Sequence, residues 1–135
     1  MSGSFERTLR LHPGRLAVWR LPPEGEVPEE LWRRSPQPLL GWVRTGNELS
    51  IVGPEELAPE EAPRETGFRA LELVGPLDFA WVGVLRSVLE PLGDAGVAVF
   101  VLSTFDTDWI LLREERLEDA AAALGGAGLR VIGPE

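Results

Sequence analysis

The second half of the chain carries its secondary structure openly in the order of apolar and polar positions. Phe68-Arg69-Ala70-Leu71-Glu72-Leu73-Val74 alternates and stops at Gly75-Pro76, the pattern of a strand running into a turn. From Phe79 to Leu92 the apolar residues Trp81, Val84, Leu85, Val88 and Leu92 recur at helical spacing, with Arg86, Ser87 and Glu90 on the opposite side. Asp78 is the expected N-cap of this helix, and Gly93 and Gly96 its end. Val97-Ala98-Val99-Phe100-Val101-Leu102 is a continuous apolar run of strand length, expected inside a sheet, and Trp109-Ile110-Leu111-Leu112 reads as its hairpin partner. Leu117, Ala120, Ala121 and Leu124 mark a second amphipathic helix closed by Gly125-Gly126, and Leu129-Arg130-Val131-Ile132 is a last strand. The order is β-α-β-β-α-β, the ferredoxin-like arrangement in which two helices cover one face of a sheet.

The first half reads as two hairpins around a short helix. Glu6 to Leu11 and Arg15 to Leu21 flank His12-Pro13-Gly14; Leu39 to Thr45 and Glu48 to Val52 flank Gly46-Asn47. Between them Pro28 stands at the first position of a short helix through Arg34. These elements amount to a shortened or permuted copy of the second unit, placed to cover the open face of its sheet. Strand edges left unpaired offer a place for a partner chain.

Charge and composition then remove most chemistries. All 13 basic residues are arginine, cysteine and tyrosine are absent, and His12 is the one histidine. A Schiff-base lysine, a thiolate nucleophile, a phosphate-loop lysine and a His/Cys zinc site all lack their residues. His12 lies in turn chemistry and is expected as a solvated turn residue rather than a base. A net charge of −9 opposes nucleic-acid binding, which draws its affinity from cationic contacts to phosphate. The proline-broken acidic run Glu55 to Pro63 reads as a solvated linker. No apolar stretch has the length of a membrane span, the first residues lack the apolar core of a signal peptide, and the expected setting is the cytoplasm.

Several segments together resemble a known family. Gly75-Pro76-Leu77-Asp78-Phe79 before the helix, Gly83 within it, Glu90-Pro91-Leu92 at its end and Ser103-Thr104-Phe105-Asp106-Thr107-Asp108-Trp109-Ile110-Leu111 at the hairpin are similar to bacterial ACT-domain proteins, in particular the tandem-ACT branch related to arginine sensors. Trp42-Val43-Arg44-Thr45 and Glu48 to Glu56 match the preceding half of those proteins. The resemblance implies an α+β fold of tandem ferredoxin-like ACT domains, with residues 1–64 the shortened or permuted half and residues 65–135 the C-terminal domain. It implies a non-catalytic regulatory role without cofactor or metal, an amino acid bound at an ACT–ACT interface, and a homodimer. The ligand contacts it carries over are Asp78 and Phe79 at the helix start and Thr104, Phe105 and Asp108 at the hairpin. The glutamate that opens the helix in the arginine sensors falls on Trp81, which points to an amino acid less basic than arginine.

Such a site has a physical rationale. Unpaired N–H groups in the first helical turn suit a carboxylate, and Asp108 or Asp78 suits an ammonium group. Phe79, Trp81 and Phe105 would wall the side chain. Each residue also has an ordinary structural role: Asp78 as a cap, the Thr and Asp residues as turn formers, the aromatics as core. Two rival classes follow. An acylphosphatase-like enzyme would need an arginine in the loop that here reads Gly-Pro-Leu-Asp, whereas a self-association or protein-interaction module needs no ligand.

Overall fold

In the computed structural model, which describes residues 7–33, 38–74 and 83–134, the chain divides into two units: Met1–His12 with Arg69–Glu135, and Pro13–Phe68. One strand, β5 (Arg64–Leu73), gives its first residues to the second unit and its last to the first.

The larger unit is built from β1 (Thr8–Leu11), the end of β5, α2 (Val84–Asp94), β6 (Phe100–Ser103), β7 (Asp108–Arg113), α3 (Leu117–Gly126) and β8 (Arg130–Ile132). Its strands lie in the order β8, β1, β5, β7, β6. β1 runs parallel to β8, with Leu9 opposite Val131, and antiparallel to β5, with Leu9 opposite Leu73. Alternation decides which side chains go inward. Leu9, Leu71, Leu73, Ile110 and Leu112 share a core with Val84, Val88 and Leu92 of α2 and with Ala120 and Leu124 of α3.

The smaller unit holds β2 (Leu16–Leu21), α1 (Glu29–Arg33), β3 (Gly41–Arg44), β4 (Leu49–Pro54) and the start of β5, its strands in the order β3, β4, β2, β5. The core is Ala17, Trp19, Leu31, Leu49, Ile51 and Ala58. The hairpin expected around Gly46-Asn47 forms, β3 pairing β4 with Trp42 opposite Ile51. The Thr45 hydroxyl closes its turn by accepting from the N–H groups of Asn47 and Glu48 at 3.1 and 3.2 Å.

Several expectations are corrected. The hairpin around His12-Pro13-Gly14 does not form: β1 pairs residues 71–73 of β5, and β2 pairs residues 64–68. A proline followed by a glycine at φ +93° is the order of a type II turn, whose twist splays strands instead of matching them. His12 consequently continues β1, its N–H donating to Ala70 O at 3.0 Å. It is no solvated turn residue, because its Nε2 meets Glu72 Oε1 at 2.8 Å and its ring packs 5.0 Å from that of Trp109.

The acidic run is not a solvated linker either. Glu55–Leu57 form a short 3₁₀ turn and Ala58 is buried. The Glu55 carboxylate accepts the Gly67 N–H at 2.6 Å. That N–H is turned out of the ladder where the β2–β5 register slips between Leu16 and Val18 and Gly67 adopts φ +79°.

The apolar run Val97–Leu102 gives only the short β6, which among the described residues pairs with β7 alone and so lies at the edge of the sheet. Gly96 at φ +74° stops α2, and Val97 folds back, buried, with its N–H on Leu92 O at 2.9 Å. α2 is described from Val84, with Gly83 in the N-cap position; residues 79–82 of the expected helix and its proposed cap Asp78 lie outside the described residues.

Candidate functional site

The hairpin between β6 and β7 is built by its own hydroxyls. Thr104 N–H donates to Thr107 O at 2.8 Å, the Thr104 hydroxyl donates to the same oxygen at 3.1 Å, and Thr107 N–H donates back to Thr104 Oγ1 at 3.3 Å. At the last strand pair Ser103 Oγ donates to Asp108 Oδ1 at 2.5 Å, within reach because Ser103 and Asp108 face each other in register. This is the Ser/Thr/Asp turn chemistry that the residue types dictate.

One contact goes beyond the turn. Thr107, the buried polar residue of the described chain at 8% exposure, donates from Oγ1 to the carbonyl of Leu73 at 2.6 Å. Leu73 ends β5, and the next residue, Val74, donates its N–H to Thr8 O at 2.8 Å. The hairpin is therefore fastened to the point at which the chain leaves β5 for Gly75-Pro76.

Of the residues expected to touch a ligand, the structure brings Thr104 and Asp108 into this hairpin, Asp108 half-buried and Thr104 exposed. Phe105 stands 82% exposed at the tip. Asp78, Phe79 and Trp81 lie outside the described residues. Thr107 and Ser103 were missed by the sequence reading. The signal for Thr107 was present: carrying the alternation of β7 back from Leu111 and Trp109 puts it on the same face as Leu111, which is fully buried. What the hairpin offers at its surface is the carboxylates of Asp106 and Asp108 and the hydroxyls of Ser103 and Thr104, a set that accepts from an ammonium group and exchanges hydrogen bonds with a polar ligand. Among the described residues no group of His, Asp and Glu is arranged to hold a metal ion. No helix there is long and apolar enough to cross a membrane.

The architecture is α+β with a ferredoxin-like, ACT-type fold, and the ACT domain family model matches residues 64–125. ACT domains are in general regulatory modules that bind small molecules, most often amino acids. Among solved structures, a protein from Agobacterium tumefaciens superposes with a TM-score of 0.87 at 29% identity, over 98% of this chain and 96% of that one. A Vibrio cholerae protein of unknown function, described as a possible transport protein, gives 0.71 at 18% identity over 91% of each chain. The regulatory subunit of aspartate kinase from Thermus thermophilus, in its ligand-free form, shares the fold with a TM-score of 0.60 at 11% identity, over 87% of this chain and 93% of that one.

Proposed function

We propose that this chain is a non-catalytic regulatory protein that binds an amino acid. Asp108 and Thr104 would contact the polar end of the ligand from the hairpin, with Phe105 walling its side chain, and Asp78, Phe79 and Trp81 would contact it from the segment that follows β5. The observation that carries the reading is the Thr107–Leu73 hydrogen bond, which holds the hairpin against the end of β5, within the stretch that the ACT family model matches. The division into an ACT-like half at residues 1–64 and an ACT domain at 65–135, the placing of the ligand at an ACT–ACT interface, a homodimer and a cytoplasmic setting belong to the same proposal.

The test is a thermal-shift panel of the standard amino acids at millimolar concentration, with tryptophan emission followed in parallel. A ligand at 100-fold over Kd adds about 2.7 kcal/mol, which is several degrees for a chain of this size. Thr104→Ala and Asp108→Ala should remove the response while leaving the unliganded melting temperature within about 2 °C, since exposed or half-buried turn side chains contribute little. A flat panel overturns the reading.

A second reading, a self-association module without a small ligand, is favoured by β3. Among the described residues it ends the sheet of the smaller unit, and it exposes Trp42 and Val43 at 45% and 56%. Apolar residues on an open edge are a place for a further strand to pair. A flat amino-acid panel together with a dimer that Val43→Lys dissociates would select it.

A further inference from the structure

The larger unit has one strand more than its helices cover. The first split unit, β5–α2–β6, straddles β7 alone, whereas the second, β7–α3–β8, straddles both β5 and β1. Two helices packed about 10 Å apart match about four strands spaced roughly 4.8 Å, and β1 makes five. The shortfall appears as a cleft of about 330 Å³ between α3 and the sheet. It lies at the lower end of the usual size of small-molecule sites, roughly 300–1,000 Å³.

Its walls come from each strand on that side: Leu11 of β1, Leu71 of β5 and Val131 of β8, facing Leu124 and Ala121 of α3. Ala121 matters by its smallness. It lies on the exposed side of α3 and leaves room that a longer side chain would take. The one charged group in the lining is Glu118, which is exposed and, among the described residues, has no hydrogen bond or ion pair. The cleft is formed wholly within the larger unit and shares no residue with the hairpin of the proposed amino-acid site.

We propose that this cleft is a second binding site, for a small aliphatic amine whose hydrocarbon part lies against Leu11, Leu71 and Val131 while its ammonium group meets Glu118. Aliphatic walls take the chain by excluding water, and the lone carboxylate sets the sign of charge the head must carry. An aliphatic carboxylic acid of the same length would bring two negative charges together and is disfavoured.

The test uses the full chain with n-hexylamine, n-butylamine, 1-hexanol and hexanoate, followed by calorimetric titration and by methyl chemical shifts of Ala121 and Val131. Hexylamine should bind about tenfold more tightly than butylamine, the effect of two further methylenes removed from water. It should bind about threefold more tightly than hexanol, the scale of an exposed ion pair. Glu118→Gln should abolish the preference for amine over alcohol and keep the chain-length dependence. Ala121→Phe, at an exposed helix position, should weaken every probe at least about fivefold. Asp108→Ala should change none of these values, which separates this site from the hairpin site. The proposal is overturned if hexylamine does not shift the Ala121 and Val131 methyls, if hexanoate binds as well as hexylamine, or if the preference for amine survives Glu118→Gln, since the attraction would then come from the overall negative charge.

Discussion

Trp19→Ala will lower the stability of the smaller unit by about 3–5 kcal/mol, the range for deleting a large buried aromatic. Trp19 is 2% exposed and shares its core with Ala17, Leu31, Leu49, Ile51 and Ala58. Gly53 fits this packing, since a Cβ there would lie 3.6 Å from the tip of the Trp19 ring and 3.1 Å from Leu40 Cδ1. Neighbours anchored on three different elements and a loop cannot all move in to fill the space, so most of the cavity remains. A whole domain holds only about 5–15 kcal/mol, so the loss is a large part of the total. Circular dichroism melts should show a first transition lowered by roughly 10–20 °C. A fall of less than about 3 °C would mean that the ring does not occupy this core.

Thr107→Val will cost about 1–3 kcal/mol, because an isosteric methyl leaves the Leu73 carbonyl without its donor in a buried place. Thr107→Ser, which retains the hydroxyl, should recover most of the loss. That pattern distinguishes the hydrogen bond from a simple effect of volume. The hydroxyl also holds the hairpin against the end of β5, and any amino acid bound by Asp108 and Thr104 should therefore bind Thr107→Val more weakly than Thr107→Ser. Equal melting temperatures for the parent and Thr107→Val would remove both the contact and its positioning role.

The legible part of the molecule was the part encoded locally. Alternation at Leu71 and Leu73, helical spacing at Val84, Val88 and Leu92, and the pair of glycines after Leu124 all refer to neighbours within a few residues, and the elements they predict are present. α1, expected from Pro28, is present as Glu29–Arg33. The errors lie where a residue's role depends on a distant partner. Glu55 looked like solvated charge because nothing near it in sequence shows that Gly67 turns an N–H out of its strand. His12 looked like a turn residue because Glu72 and Trp109 are about sixty and a hundred positions away in sequence, beyond any local pattern.

At the candidate site the same division holds. The Ser103 to Asp108 motif was visible as a hydroxyl-rich hairpin, and the hydrogen bonds within it are the local ones its residue types favour. Which of its threonines is buried was decided by the tertiary structure: Thr107 faces the carbonyl of Leu73, while Thr104 stays at the surface.

By itself, then, the amino-acid order determined the succession β5, α2, β6, β7, α3, β8, the faces those elements bury and the chemistries the chain lacks, because periodicity and residue type act at short range. Only the tertiary structure decided that β1 lies between β5 and β8, that β6 is an edge, and that a cleft opens beneath α3. The physical reason is that a strand's alternation specifies its two faces but its backbone N–H and C=O groups accept any neighbour. Neighbours are chosen by the packing of the whole unit.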